Sequence, residues 1–297
     1  MVRAGILLVD KPGGITSHDV VSRARRALGT RKIGHAGTLD PMATGLLVLG
    51  VEGATRLLTY IVGADKTYEA TIVLGIATDS DDADGVETER ADAATVAAVA
   101  DEAIAAGIRA LTGEIEQVPS TVSAIKVGGR RAYDLARAGE EVELKARRVT
   151  VSRFDVRAMR RGDGVVELDV VVDCTSGTYI RALARDLGRA LGVGGHLTML
   201  RRTRIGSFDV TAAASVDDVA EDALIAPATA AAVVVGALAV GADEARDLRH
   251  GKRIDGGGRL TGAVAAAIDP DGRLVGIVER RGTQLKSVMN MPEEAAR

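Results

Sequence analysis

The chain has 297 residues, of which 46% are hydrophobic, with a formal net charge of −3 and one cysteine. This length allows one large domain plus a small one, or two domains of medium size. A single cysteine excludes an internal disulfide and a cysteine-cluster zinc site, and it is typical of a reducing cytoplasm. Residues 1–10 lack the long apolar stretch of a secretory signal peptide, so we predict a cytoplasmic protein.

The first half of the chain predicts short strands that alternate with helices. Residues 5–9 form an apolar run typical of a buried strand. Ser17 is the predicted N-cap of a helix over 18–28, with a glycine as its stop. Residues 67–75 are rich in β-branched and aromatic side chains and predict a strand, and the alanine-rich stretch 93–106 predicts a helix.

The next elements are the most regular in the sequence. In residues 165–173 the even positions are apolar and the odd ones mostly acidic, which predicts a half-buried strand that ends at a buried, inert Cys174. A turn over 175–177 then leads into a predicted helix that carries arginines at 181, 185 and 189. Arg181 lies in the first turn after a strand, where a side chain can point into a pocket. For Arg185 and Arg189 we expect a solvated helix face.

Beyond residue 220 the composition changes. Residues 223–242 carry no charge, but alanine is only weakly apolar and both flanks are acidic, so we predict a linker and then a buried strand over 231–240 rather than a membrane span. A short helix over 243–249 is expected next. Strands over 262–268 and 273–279 are predicted on either side of an Asp-Pro-Asp-Gly turn.

The net charge hides an uneven distribution. Residues 79–102 carry nine acidic side chains against one arginine, whereas residues 125–153 carry eight basic side chains against four acidic ones. Clustered basic charge is typical of a protein that binds a nucleic-acid backbone. The predicted RNA-contacting residues are Arg130, Arg131, Arg147, Arg148, Arg201 and Arg202.

The stretch Gly-His-Ala-Gly-Thr-Leu-Asp-Pro at residues 34–41 is the strongest candidate site. It places one carboxylate, Asp40, beside glycines that let a large substrate come close. Pro41 disfavours a helical backbone at Asp40, so its side chain is expected on an extended or turn backbone. Taken alone, such an octapeptide is more often a surface turn with a solvated aspartate.

Four sequence blocks change that interpretation. They are the N-terminal stretch 5–18, the loop 34–41, the stretch 65–70 (Asp-Lys-Thr-Tyr-Glu-Ala) and residues 174–181 (Cys-Thr-Ser-Gly-Thr-Tyr-Ile-Arg), which are followed by Leu-Arg-Arg at 200–202. In this order and spacing, from about residue 5 to residue 210, the chain resembles the bacterial tRNA pseudouridine synthases that modify uridine 55 of the TΨC arm.

The resemblance assigns a role to individual residues. Asp40 matches the catalytic aspartate of that family, and Arg181 matches the arginine that pairs with it. Tyr68 matches the tyrosine that stacks on the target base, and His35 matches the histidine associated with flipping the uridine out of its stack. Two positions depart from the family pattern: Ala36 stands where many relatives have threonine, and Ser176 where lysine is frequent.

The same resemblance implies an α+β fold: a mixed, largely antiparallel sheet with flanking helices (the pseudouridine synthase fold) plus a small β-rich C-terminal domain. It implies a catalytic domain over 1–228 and a PUA-like RNA-binding domain over 229–297. Residues 125–150 resemble the insertion that grips the tRNA arm, and we expect this insertion to order on binding RNA. The expected partner is the TΨC stem-loop of tRNA, bound by a monomer that needs no protein partner, metal or cofactor.

The chemistry leaves two routes open. An ionised Asp40 can attack the anomeric carbon of the ribose or remove a proton at its 2′ position, and the sequence does not distinguish them. Two other functions also stay open: an RNA-binding or RNA-folding module with no essential chemistry, and a related synthase that is guided by RNA or modifies ribosomal RNA. The insertion favours a stand-alone enzyme.

Overall fold

The computed structural model describes residues 2–120, 126–127, 130–131 and 144–292. The chain divides into two units. The first comprises Met1–Pro41, Gly45–Ala64 and Ile205–Arg297, and the second comprises Met42–Thr44 and Asp65–Arg204. Most of the insertion predicted over 125–150 lies outside the described residues.

The main sheet is mixed and largely antiparallel, and helices accompany it, so the predicted α+β class is confirmed. The strands are β1 (Gly5–Lys11), β2 (Ile33–His35), β3 (Thr44–Val51), β4 (Lys66–Leu74), β5 (Ile76–Thr78), β6 (Glu87–Arg90), β7 (Gly113–Gln117), β8 (Lys126–Val127), β9 (Arg130–Arg131), β10 (Arg147–Gly162), β11 (Val165–Cys174), β12 (Gly195–Ile205), β13 (Phe208–Asp209), β14 (Ala214–Ser215), β15 (Ala237–Ala239), β16 (Ile254–Asp255), β17 (Val264–Ile268), β18 (Leu274–Arg281) and β19 (Gln284–Asn290). The α-helices are α1 (Ser17–Leu28), α2 (Leu58–Val62), α3 (Ala93–Ala97), α4 (Asp101–Ala110), α5 (Ile180–Ala190), α6 (Pro227–Val235) and α7 (Ala242–Arg249).

In the first unit, strand β1 pairs antiparallel with β3 and parallel with β14, and β3 also pairs with β2. Residues 5–9 of β1 are all buried. Since successive side chains point to opposite faces, the strand packs against apolar residues on both faces. Leu7 and Val9 pack with Val20 and Val21 of helix α1. The opposite face contributes to a second apolar cluster. The strand predicted over 5–9 is therefore confirmed.

Helix α1 begins at Ser17, one residue earlier than predicted, and its cap also lies one residue earlier. Thr16, not Ser17, is the N-cap: its hydroxyl accepts a hydrogen bond from the Asp19 amide, and the Asp19 carboxylate accepts one from the Thr16 amide at 2.8 Å. This reciprocal pair is a capping box. The helix ends as predicted at Gly29, whose φ of 63° is the left-handed conformation that glycine adopts readily. The Ser17 hydroxyl therefore takes no part in capping the helix and forms hydrogen bonds with the Leu39 backbone instead.

The C-terminal part of the first unit is a five-stranded sheet in the order β15, β17, β18, β19, β16. The predicted strand pair around the Asp-Pro-Asp-Gly turn is confirmed as β17 and β18, and the short predicted helix is confirmed as α7. At the turn, the Asp269 carboxylate accepts hydrogen bonds from the amides of Asp271 and Arg273.

The strand predicted over 231–240 is wrong for most of its length, because Pro227–Val235 form helix α6. Proline at the first helical position and a run of alanine both favour a helix. Ala230 and Ala231 are buried in the apolar cluster that also contains Ile6, Leu8 and Ile277. Among the described residues, no helix is long and apolar enough to cross a membrane.

The strands of the second unit lie in the order β12, β4, β11, β10, β7. In β11 the even residues from Val166 to Val172 are buried and the odd ones half-buried, so the predicted alternation is confirmed. Cys174 is buried at the end of this strand, and burial raises the pKa of its thiol to about 11, as expected of an inert thiol. The predicted helix after residue 177 is confirmed as α5.

Two details of this unit differ from the predictions. The helix predicted over 93–106 is two helices, α3 and α4, and acidic Asp101 and Glu102 in the first turn of the second one favour a new N-terminus there. Arg189 is exposed as expected, but Arg185 is half-buried and forms an ion pair, so it does not lie on a solvated face.

Candidate active site

The loop that carries Asp40 is held by the chain on both sides of this residue. On one side, the buried Ser17 hydroxyl accepts a hydrogen bond from the Leu39 amide at 2.8 Å and donates one to the Leu39 carbonyl at 3.1 Å. On the other side, the Pro41 carbonyl accepts hydrogen bonds from the Gly14 amide and the Lys11 ammonium. The backbone on either side of the half-buried Asp40 is therefore fixed.

Lys11 is the buried support of this loop. Its side chain is fully buried, and its ammonium donates to the carbonyls of Pro12, Ile15 and Pro41 at 2.9, 2.7 and 3.2 Å. Burial of an ammonium is costly unless hydrogen bonds compensate it, and here three carbonyl oxygens do so. Lys11 therefore ties the loop at Pro41 to the end of strand β1.

His35 lies at the end of strand β2, on the same loop as Asp40. Its neighbour Ala36 is buried, and the Ala36 amide donates to the Val48 carbonyl at 2.9 Å, which ties the loop to strand β3. Gly37 then adopts a φ of 97°, a backbone conformation that disfavours any side chain. The first unit thus brings Asp40 and His35 together on one anchored loop.

Tyr68 and Arg181 belong to the second unit. Tyr68 is buried in strand β4, opposite Val172 of strand β11. Two residues before it, Lys66 is also buried, and burial, together with the positive charge of Arg202, lowers the pKa of Lys66 to about 8. The buried lysine at the start of strand β4, which carries Tyr68, was not predicted from the sequence.

Arg181 lies in the first turn of helix α5 and is almost fully buried. Its guanidinium donates to the Ser80 carbonyl at 2.8 Å and forms an ion pair with the Asp82 carboxylate at 3.1 Å. The other oxygen of Asp82 accepts from the Ser80 hydroxyl at 2.6 Å and from the Asp84 amide at 3.1 Å. The Asp82 carboxylate is therefore oriented toward Arg181 by hydrogen bonds within its own loop.

A second ion pair lies one helical turn along the same helix. Arg185 meets the Asp81 carboxylate at 3.2 Å. Asp81 has a φ of 62°, which is uncommon for a residue other than glycine, and burial raises the pKa of its carboxyl. The loop closes so tightly that a Cβ at Gly85 would lie 2.2 Å from the Ser80 hydroxyl oxygen. Two adjacent aspartates of one loop, Asp81 and Asp82, thus form ion pairs with two arginines spaced four apart on helix α5.

The predicted RNA-contacting arginines differ in their surroundings. Arg147 and Arg148 are exposed at the start of strand β10, and Arg201 is half-buried in strand β12 with its guanidinium 3.5 Å from the Thr44 hydroxyl. Arg202 is only 1% exposed, so its side chain presents almost no surface to a phosphate. Arg130 and Arg131 form strand β9, but their side chains lie outside what the structure describes.

Sequence reasoning missed Asp82, Ser80 and the Asp81–Arg185 pair. The acidic stretch after residue 79 was interpreted only as bulk negative charge, although the Ser, three Asp and Gly of residues 80–85 are typical of a tight loop. Across residues 2–120 and 144–292 and the two short strands between them, no three His, Cys, Asp or Glu side chains are grouped as metal ligands.

Comparison with family models covers nearly the whole chain. The model for the TruB family pseudouridylate synthase N-terminal domain matches residues 25–180. The model for the tRNA pseudouridylate synthase B C-terminal domain matches residues 181–238, and that for the tRNA pseudouridine synthase II C-terminal domain matches residues 236–292.

Similar proteins extend this match. A protein of Leifsonia xyli named tRNA pseudouridine synthase B is 57% identical over 99% of this chain and 98% of its own length. A protein of the same name from Rhodococcus jostii is 54% identical over 97% of this chain and 94% of its own length. The chain therefore belongs to the TruB family of pseudouridylate synthases.

Solved structures show the same fold. The structure of an H/ACA RNP bound to a substrate RNA containing 2′-deoxyuridine aligns with a TM-score of 0.71 at 22% identity, over 98% of this chain and 86% of that chain. A Cbf5-Nop10-Gar1 complex aligns with a TM-score of 0.68 at 25% identity, over 99% of this chain and 81% of that chain. The predicted pseudouridine synthase fold with a β-rich C-terminal part is confirmed.

Proposed function

We propose that the protein converts uridine 55 in the TΨC arm of tRNA into pseudouridine. The observation that carries this proposal is the 57% identity, over almost the full length of both chains, with a protein named tRNA pseudouridine synthase B. The position within tRNA comes from the resemblance of the loop 34–41 and the blocks after it to the family that modifies uridine 55.

Asp40 is the proposed catalytic carboxylate. The bond between the anomeric carbon and N1 of the base breaks, the base turns, and the anomeric carbon bonds to carbon 5, which releases its hydrogen as a proton while N1 takes one up. Asp40 assists either by attacking the anomeric carbon, in a bond that carbon 5 later displaces, or by removing the 2′ proton, which is later returned. Either route needs a carboxylate held in one position. The hydrogen bonds on both sides of Asp40 support this role, since they fix the backbone from which it projects.

The remaining site residues are proposed to receive the base and stabilise charge. The target uridine must leave its stack before it can react. Tyr68 provides an aromatic surface for the flipped base, and His35 assists the flipping. Arg181 pairs with Asp40 and keeps it ionised, because an adjacent guanidinium favours the charged form of a carboxyl. The ion pair between Arg181 and Asp82 supports this assignment, since it orients the guanidinium in advance of substrate binding.

RNA binding is proposed to use arginines of the insertion, together with the C-terminal region. Arg147 and Arg148 are exposed at the described end of the insertion, and Arg130 and Arg131 belong to the same basic stretch. We propose a catalytic domain over 1–228 and an auxiliary PUA-like RNA-binding domain over 229–297. The family models, which divide this region near residue 237, support separate C-terminal modules. The enzyme is proposed to act as a cytoplasmic monomer.

The decisive experiment incubates the purified protein with an unmodified tRNA transcript and maps pseudouridine at single-nucleotide resolution. We expect modification at position 55, without a guide RNA or a second protein. The matched substrate carries cytidine at that position and should stay unmodified. Modification of ribosomal RNA instead, or a requirement for a guide, would favour the related synthase. Tight RNA binding without turnover would favour a binding module. A primary isotope effect from deuterium at the 2′ carbon would identify proton removal as the route.

A further inference from the structure

The buried side chain of Gln117 bonds to the backbone on which helix α5 begins. Gln117 is 1% exposed at the end of strand β7. Its amide nitrogen donates to the Tyr179 carbonyl at 3.0 Å, and its amide oxygen accepts from the Tyr179 N–H at 2.8 Å. Tyr179 has an extended backbone, so the glutamine side chain bonds it as a neighbouring strand would.

Tyr179 is the N-cap of helix α5 and makes no capping bond with its own side chain. Arg181 follows two residues later, and its guanidinium meets Ser80 and Asp82. A shift or tilt of the helix start moves Arg181 with it, because the arginine lies in the first turn. The two bonds from Gln117 therefore act on the position of the guanidinium without touching it.

The residue after Gln117 holds the same helix one turn further along. The Val118 carbonyl accepts a hydrogen bond from the Arg185 guanidinium at 2.7 Å, while Arg185 also pairs with Asp81. Gln117 is in register with Arg147 of strand β10, and these two residues are the last and first of their strands. Gln117 thus stands where the chain leaves the sheet for the segment 118–146.

We propose that Gln117 is a positioning residue: through the Tyr179 backbone it fixes the start of helix α5 and so aligns Arg181 for catalysis. This proposal rests on the proposed function, in which Arg181 serves the reaction. Displacement of a reacting group by about 1 Å costs about 100-fold in rate. Gln117 is buried and offers no surface to RNA, so we expect it to act on the chemical step and not through a contact with RNA.

The first test replaces Gln117 by methionine, which keeps the length of the side chain and removes both hydrogen bonds. At saturating tRNA, we expect Q117M to lower the single-turnover rate by about 10- to 100-fold. The dissociation constant for tRNA should stay within about threefold, which separates positioning from binding. Glu114→Met is the matched control, because it introduces the same side chain at an exposed position of the same strand and should leave both values unchanged.

The second test uses Gln117→Glu and pH. A protonated glutamic acid has one donor and one acceptor, as the glutamine amide has, whereas the carboxylate has no donor for the Tyr179 carbonyl. Burial favours the protonated form, and the neighbouring Arg185 and Arg147 favour the ionised one. We therefore expect the rate of Q117E relative to wild type to rise as the pH falls from about 8.5 to about 6, or to stay near one if the acid is protonated throughout.

Several outcomes decide the proposal. A Q117M rate within about twofold of wild type overturns it, since lost alignment costs far more. If Q117M does not fold, Q117E decides: a lower rate without faster amide hydrogen exchange at Tyr179, or faster exchange without a lower rate, overturns the proposal. If the wild-type protein forms no pseudouridine in tRNA, the proposed function fails separately. Amide hydrogen exchange at Tyr179 then decides whether Gln117 fixes the helix start, and an unchanged exchange rate in Q117M overturns the proposal.

Discussion

The ion pair between Arg181 and Asp82 yields the sharpest prediction. The side chains are 3% and 6% exposed, and the two charged atoms lie 3.1 Å apart. In Asp82→Asn, the amide oxygen can still accept from the Ser80 hydroxyl and the Asp84 amide, as the carboxylate does. The amide nitrogen then faces the guanidinium, so that a donor meets a donor and the positive charge of Arg181 is left buried without this anion.

The expected loss of stability follows from this geometry. At an effective dielectric constant of about 20, opposite unit charges about 4 Å apart attract by about 4 kcal/mol. Removal of one partner from a buried pair costs about 3 to 5 kcal/mol. We therefore expect the free energy of unfolding of Asp82→Asn, measured by urea titration with circular dichroism, to fall by about this amount. Glu102→Gln is the control, since it breaks an exposed pair with Arg109 and should have no measurable effect.

The catalytic loss should be separable from the loss of stability. At a temperature where Asp82→Asn is folded, we expect the single-turnover rate at saturating tRNA to fall by about 100-fold, because Arg181 is no longer held in place. A double-mutant cycle with Arg181→Met should show coupling in stability, since both changes break the same contact. An Asp82→Asn protein whose unfolding free energy and rate match those of wild type would refute the reasoning.

Three further predictions concern the carboxylate, the basic stretch and the C-terminal region. Asp40→Asn removes the charge but keeps the size, so turnover should fall by several orders of magnitude while filter binding shows nearly unchanged RNA affinity. Normal pseudouridine yield from Asp40→Asn would contradict the assignment. Replacement of four arginines of the basic stretch by glutamine should weaken RNA binding and reduce the slope of log K against log salt by about 0.7–0.9 per lost phosphate contact. The four are Arg130, Arg131, Arg147 and Arg148, and Arg109→Gln is the control. An unchanged slope would show that the stretch does not contact the RNA backbone. A chain that ends at Gly236 should melt at a higher temperature than one that ends at Ala226, because helix α6 packs in the core. The longer fragment should need more RNA than the full-length protein for half-maximal rate, yet keep most of the maximal rate. Normal RNA binding without turnover would give the C-terminus a chemical role.

Elements with a strong local signal were predictable from the sequence. In strand β11 the even positions from 166 to 172 are apolar and most of the odd ones are acidic, and this alternation predicts which face is buried. Helix α5 has an apolar stripe, and a turn precedes it. Asp40 stood out for a different reason: its loop alone is typical of a surface turn, and only the resemblance of the four sequence blocks to a known family marked it as a candidate.

Elements whose form depends on competing local choices were not predictable. Thr16 and Ser17 are both good N-cap residues, and a hydrophobicity pattern does not choose between them. The capping box with Asp19 selects Thr16, and the buried Leu39 backbone then takes the Ser17 hydroxyl. In residues 231–240, three consecutive valines favour a strand, but the preceding alanines and Pro227 begin a helix that extends through those valines.

The anchoring of the candidate site was beyond sequence reasoning for a further reason. Its supports act through backbone atoms or through the charge of a distant residue: Lys11 on the Pro41 carbonyl, Gln117 on the Tyr179 peptide and Asp82 on the Arg181 guanidinium. A backbone carbonyl has the same chemistry in every residue, so no motif marks it as a target. The proposed catalytic residues can be identified from their side chains, whereas the residues that hold them become visible only when the chain is folded. Substitution of these supports is therefore the most direct test of whether precise placement, and not only the presence of Asp40 and Arg181, determines the rate.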